Sequence, residues 1–233
     1  MSTSEMSADE QAPTPEPPGT VLLLVRHAVT AHTGTVLTGR APGISLSDEG
    51  RAQAEAVATR LAKLPIAALY TSPIDRTAET AAAIENATGL PAQRLDGVME
   101  ADFGDWTGET LLDLAQTDLW KVVQRAPSRV QFPGGESLAE MQARVVGALE
   151  GIVAAHPGEV VVVVSHADPI KAAIAAYTGM HLDHFQRILV SPASVTAFAV
   201  SRHGALMLTA NDTGALDSLA PAAPHGNAAE QPA

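Results

Sequence analysis

The chain has 233 residues, 46% of them hydrophobic, and a formal net charge of −12; that is enough for one sizeable core with loose ends. It has no cysteine, which excludes disulfides, cysteine nucleophiles and thiolate metal sites. The acidic balance excludes long-range attraction to nucleic acid or an anionic membrane, so an anionic substrate would need a local cluster of the chain's 14 Lys and Arg side chains.

Residues 1–19 are rich in Pro, Ser and Glu, without apolar periodicity, and are expected to be disordered; residues 217–233, rich in Ala and Pro, are expected to be the same. Glu5, Asp9, Glu10, Glu16, Asp217 and Glu230 sit in these ends and leave −6 for the middle. The start shows no basic stretch and no apolar core of a signal peptide. Apolar runs such as Val160–Val164 are too short for a bilayer, and the expectation is a cytoplasmic protein with one domain over residues 20–216.

Within that domain, Val21–Val25 is a continuous apolar run, the pattern of a strand covered on both faces. A helix is expected from Ser47, with Ala54, Val57, Ala58 and Leu61 on one face. Ala67–Thr71 is a second strand, and Ser72-Pro73 has the form of an N-cap with proline in the first turn. Ser137 to Glu140 fits a capping box, opening a helix with Met141, Val145, Leu149 and Ile152 that stops at His156-Pro157-Gly158. Val160–Ser165 is another buried strand, with Asp168-Pro169 as a further cap. Thr196–Val200 and Ala205–Thr209 pair as a hairpin around His203-Gly204. Alternating strands and helices imply an α/β fold with a mainly parallel sheet. In such sheets ligands bind beyond the carboxyl ends of the strands.

The residues at those ends carry chemistry. Arg26 and His27 follow the first strand, Ser72 and Arg76 the second, and His166 the strand ending at Ser165. Arginines hold phosphate oxygens through paired, charge-assisted hydrogen bonds, and helix N-termini add N–H donors. Each residue alone has a plain structural use: Arg26 on strand carbonyls, Arg76 against Glu79 or Glu55, His27 and His166 in loop hydrogen bonds. Four of them at three strand ends suit a dianion far better than coincidence. Phosphoryl transfer to an imidazole also needs a proton donor. Glu100, Asp102 and Asp105 lie in a loop with glycines and aromatics, and spacing does not choose among them.

Among His27, His32, His166, Asp168, His181 and His184 no helical metal motif occurs, and no metal is expected. Phosphate-loop, dinucleotide-turn and serine-elbow motifs are absent too.

These residues, with their flanks, resemble the histidine phosphatase superfamily, which includes the cofactor-dependent phosphoglycerate mutases. The matching pieces are Leu24-Val25-Arg26-His27-Ala28, Thr38-Gly39-Arg40, Leu46-Ser47-Asp48-Glu49-Gly50, Gln53-Ala54 and Ser72-Pro73-Ile74-Asp75-Arg76-Thr77-Ala78-Glu79-Thr80. They continue with Glu100, Phe103-Gly104-Asp105-Trp106, Gly134-Gly135-Glu136-Ser137 and Val164-Ser165-His166. They come in the family's order over residues 21–212. The segments 119–124 and 180–188 are similar to an actinobacterial phosphomutase/phosphatase subgroup.

The resemblance implies a three-layer α/β/α, phosphoglycerate mutase-like fold whose mainly parallel sheet has an antiparallel edge. It implies His27 as nucleophile, Glu100 as proton donor, and Arg26, Arg76 and His166 around the phosphate. Thr33, where many relatives carry asparagine, joins Gly39 and Ala167 as substrate-binding positions. Ala28 replaces a usual glycine and Thr107 a common glutamate. No cofactor is implied. The expected partner is a small phosphate ester, with no nucleic acid or membrane, and a homodimer is compatible with the pattern.

The expected activity is hydrolysis of phosphate monoesters, the alternatives being a phosphoglycerate mutase-type transfer or a non-catalytic phospho-ligand module. Mutases of this family tend to carry a long insertion over the site, whereas here only Gly108 to Pro133 is available. Trp120, Lys121, Arg125, Arg129 and Phe132 in that stretch are expected either to read substrate or to form an ordinary surface helix.

Overall fold

A computed structural model describes residues 19–214; both expected disordered ends, apart from Gly19, lie outside the described residues. Strands β1 (Thr20–Arg26), β2 (Ile66–Thr71), β3 (Ala92–Arg94), β4 (Val160–Ser165), β5 (Val195–Ser201) and β6 (Gly204–Asp212) form one sheet in the order β3-β2-β4-β1-β5-β6. The first four in that order run parallel, and β5 and β6 add the antiparallel edge.

Helices on both faces explain the uninterrupted apolar strands. Leu22, Leu24, Val161 and Val163 face α5 (Leu138–Ala155) and α6 (Ala167–Tyr177). Leu23, Val25, Val162 and Val164 face α1 (Asp48–Leu61) and α2 (Asp75–Thr88). Burying one such leucine contributes about 1.5–3 kcal/mol, so the central strands are a rigid base for whatever follows their ends.

Local chemistry sets most helix starts. The Ser47 hydroxyl accepts from Gly50 N at 3.0 Å at the head of α1. Ser137 and Glu140 form the reciprocal capping box of α5, whose helix ends at Ala155. Two expected caps differ. Helix α2 begins only at Asp75, with Ile74 at its cap and no side-chain cap bond; the Ser72 hydroxyl, two residues before that cap, accepts from Ile74 N at 3.4 Å and lies 2.9 Å from His166 Nε2. Helix α6 begins directly at Ala167, so Asp168 and Pro169 lie inside its first turn, where a missing N–H is harmless. Strand β3, of three residues, and the short helices α3 (Leu111–Leu114) and α4 (Asp118–Arg125) carry too little periodicity to be legible beforehand.

The loop bearing Glu100 is seated by a tight crossing. Gly104 has φ +52°, and a Cβ there would meet the Pro133 carbonyl at 2.1 Å; at Gly135 it would meet the Asp102 carbonyl at 2.2 Å. Only glycine lets these two backbones approach so closely.

Candidate active site

Three adjacent parallel strands, β1, β4 and β2, end together. His27 N donates to the Ser165 carbonyl at 2.9 Å, and Ser72 N to the Val164 carbonyl at 3.0 Å. His27, Arg76 and His166 are therefore buried side by side above the sheet edge, with the two imidazole centroids 5.3 Å apart.

Hydrogen bonding determines the tautomer of each ring. His27 Nδ1 lies 2.8 Å from the Ala28 carbonyl, which can only accept, so Nδ1 carries the proton. Nε2 then holds a lone pair and accepts from Arg76 Nε at 3.1 Å. In His166, Nδ1 faces Arg76 Nη2 at 3.0 Å; the guanidinium can only donate, so Nε2 donates to Ser72 Oγ. Burial, reinforced by the charges of Arg76 and Arg26, holds His27 well below its ordinary pKa. Burial and Arg76, with smaller effects from His27 and Arg26, do the same for His166. Both rings are neutral through the physiological range.

Arg76 also donates from Nη2 to the Gly39 carbonyl at 2.8 Å, and Arg26 from Nη1 to the Val190 carbonyl at 2.7 Å. Arg76 Nη1 and Arg26 Nε are buried without a hydrogen-bond partner among the described residues. Unpaired buried guanidinium N–H groups are costly, and phosphate oxygens are matching acceptors.

Glu100 is buried beside them. Burial, with the nearby Asp168 charge, raises its pKa to about 7, against the opposing pull of Arg76, the Ala101 N–H and Arg26. Its backbone is held from outside the strand-end cluster. Arg40 Nε and Arg144 Nη2 each donate to the Glu100 carbonyl at 2.9 Å. Arg144 Nη1 donates to the carbonyls of Gly97 and Met99 at 3.0 and 2.8 Å. Both arginines pair with Glu136, Arg40 at 2.9 Å and Arg144 at 2.6 Å. The Asp102 N–H donates to the same carboxylate at 2.8 Å. Burial pushes Glu136 up, but the Arg144 hydrogen bond, the Asp102 N–H and the two arginine charges outweigh it and hold its pKa low. Sequence reasoning missed Arg144; its only signal is an arginine beside the buried stripe of α5.

A cavity of about 260 Å³ opens onto these groups, lined by Arg26, His27, Arg76, Glu100, Thr33, Gly39 and Ala167 among others. His166 is wholly buried behind it and is not part of its lining. The Thr33 hydroxyl accepts from Thr30 N at 2.9 Å and lies 3.1 Å from Thr30 Oγ1, contacts that brace the loop. From the Gly108–Pro133 stretch only Leu111 reaches the cavity. Trp120 packs on Trp106 at 6.2 Å, Phe132 is buried against Phe103 and Trp106, and Lys121 pairs with the exposed Asp118. None of Trp120, Lys121, Arg125, Arg129 and Phe132 lines this cavity, and Trp120 and Phe132 join the hydrophobic core instead. A larger cleft of 610 Å³ between α1 and α2 contains none of the strand-end residues. No described helix is long and apolar enough to cross a membrane.

Comparisons with known proteins identify the family. The family model of the histidine phosphatase superfamily (branch 1) matches residues 22–213. Phosphoserine phosphatase 1 of Hydrogenobacter thermophilus is 34% identical over 198 residues, covering 82% of this chain and 92% of that protein. Glucosyl-3-phosphoglycerate phosphatase of Mycolicibacterium vanbaalenii is 31% identical over 173 residues, covering 70% and 76%. The solved structure of Bacillus stearothermophilus YhfR superposes with a TM-score of 0.75 at 29% identity, covering 83% of this chain and 97% of that one. With six strands in the same mixed α/β architecture and a family match along almost all of its described length, the chain belongs to the histidine phosphatase superfamily, branch 1.

Proposed function

We propose that this phosphatase acts in the cytoplasm on small phosphate monoesters, through a phosphohistidine at His27, within a single domain over residues 20–216. The observation that carries the reading is the tautomer of His27: Nδ1–H is committed to the Ala28 carbonyl, leaving the Nε2 lone pair beside Arg76. The names of the relatives, which specify phosphoserine and glucosyl-3-phosphoglycerate, support a small phosphorylated metabolite as substrate, and the acidic surface supports neither nucleic acid nor membrane as partner.

In the first step Nε2 of His27 attacks phosphorus in line and the ester P–O bond breaks. Glu100, as the acid, protonates the departing alkoxide. The free N–H groups of Arg26 and Arg76 take phosphate oxygens and offset the developing charge, and His166 supports Arg76 from behind. In the second step water attacks phosphorus, the P–N bond breaks, and ionised Glu100 takes the proton from water. Orthophosphate leaves with both residues restored. A carboxyl titrating near 7 populates both forms at neutral pH, as the two steps require. Thr33, Gly39 and Ala167 shape the cavity wall around the phosphate. Hydrolysis is favoured over transfer because only Leu111 of the Gly108–Pro133 stretch borders the cavity, which leaves water a way in.

The test is a single-turnover experiment with a radiolabelled ester. The enzyme is expected to carry label that survives alkali and is lost in acid, as a phosphoramidate does, and His27→Ala is expected to carry none. Label retained by that variant, or absent from the parent, overturns the reading. Isomer formation without phosphate release would instead identify a mutase.

A further inference from the structure

Beside the catalytic cavity lies a second lobe of about 290 Å³, lined by Arg26, Ala167, Lys171, Gln186, Arg187 and the aliphatic run Ile188 to Val190. Arg26, Ala167 and Lys171 line both spaces, so the two adjoin across these three residues. The lobe's lining has three cations and no carboxylate. In a chain of net charge −12 with only 14 Lys and Arg, that concentration is far from what the composition would scatter at random.

The cations come from three places in the fold. Arg26 ends β1, Lys171 lies in α6, and Arg187 closes the 3-10 turn Leu182–Arg187. Lys171 is held in position by Gln186 Oε1 at 3.1 Å, by Asp168 at 3.4 Å, and by the Phe185 ring, whose centroid is 5.5 Å from Nζ. Arg187 is exposed at the rim. Asp168 borders the catalytic cavity but not the lobe, so it partly offsets Lys171 without lining the space a ligand would fill.

We infer that this lobe is an anion subsite, and that the substrate carries a second anionic group, a carboxylate or a further phosphate, on the part released when the ester is cleaved. The inference rests on the phosphatase reading and extends it to the leaving group. The monoester phosphate sits over His27, and the body of the leaving group crosses Ala167. Its second anion meets Lys171 and Arg187, while Ile188 and Leu189 cover its aliphatic portion. An anion there uses charge-assisted hydrogen bonds in a half-enclosed site, where they outweigh the same contacts in bulk water.

The experiment compares matched esters on the full chain. Phosphoserine is set against phosphoethanolamine, which lacks only the carboxylate. A hexose bisphosphate is set against the corresponding hexose monophosphate. Each pair is measured with the parent, Arg187→Gln and Lys171→Met, with p-nitrophenyl phosphate as a control. The member with the additional anionic group is expected to be preferred in at least one pair by about tenfold or more in kcat/KM, with both variants shrinking the ratio, mainly through KM. The pair that shows the preference tells carboxylate from phosphate. Equal kcat/KM within both pairs, or a preference that both variants leave intact, overturns the subsite while leaving the phosphatase reading standing. Failure to release phosphate from any ester, p-nitrophenyl phosphate included, overturns both.

Discussion

The two walls of the catalytic cavity are built differently. The floor, with His27, Arg76 and His166, grows directly from the ends of β1, β2 and β4, and its hydrogen bonds run among the functional side chains themselves. The opposite wall, Glu100, sits on an irregular loop held by Arg40, Glu136 and Arg144, none of which lines the cavity. The floor is fixed by the sheet, and Glu100 by a polar clamp drawn from distant parts of the chain. A sheet tolerates loss of one hydrogen bond better than an irregular loop does, so damage to the floor is expected to act on chemistry and damage to the clamp on placement.

The largest expected effect removes His27, the proposed nucleophile. His27→Ala is expected to lower kcat by on the order of 10⁴ or more, with an unchanged circular-dichroism spectrum; near-native turnover would rule out attack by His27. Glu100→Gln follows, with a loss on the order of 10²–10³ for alkyl esters and a much smaller one for aryl esters, whose leaving groups need little protonation. In the parent, the single-turnover rate of the first step with an alkyl ester should fall as pH rises through about 7, because the acid form of Glu100 is lost. The variant should lack that descent.

The same residue gives a stability test of opposite sign. The folded-state pKa of Glu100 is raised above its unfolded value, so its favourable contribution is present at low pH and is lost as pH rises through about 7. Urea midpoints should therefore show Glu100→Gln gaining on the parent between pH 4 and pH 8, by on the order of 3 kcal/mol at most. A difference that stays constant with pH would mean that burial does not tax the ionised carboxyl.

Clamp damage should be milder and of another kind. Arg144→Ala is expected to lower kcat by about tenfold to a hundredfold, with little change in KM, and Arg144→Lys should restore only part because it cannot reproduce the forked geometry. An equal loss from aryl and alkyl esters would show that the clamp serves more than the proton donor. The smallest expected effect is that of Lys121→Ala on the outer helix α4, within about twofold in kcat/KM; a large effect would return that helix to substrate reading.

The contrast also explains what could be read in advance. Apolar strand runs and the residues just beyond them are consecutive in the chain, so Arg26-His27, Ser72 to Arg76 and His166 were legible as a cluster. The caps at Ser72 and Asp168 were misplaced because a helix start shifts by a residue or two with the surrounding packing: the caps are Ile74 and His166. Glu100 was not separable from Asp102 and Asp105 by spacing, because what distinguishes it is burial next to Asp168 and two arginines, all remote in sequence. The resemblance supplied that choice.

By itself, then, the sequence determined the alternation of strand and helix, the parallel sheet, and the set of charged residues delivered to one edge, since these follow from local periodicity and from what directly succeeds each strand. Tertiary structure alone decided which imidazole nitrogen carries the lone pair, which carboxyl titrates near 7, and that Arg26, Lys171 and Arg187 border a single lobe. The reason is physical: tautomers, desolvation and electrostatic coupling depend on distances of a few ångströms between groups that the chain separates by tens of residues.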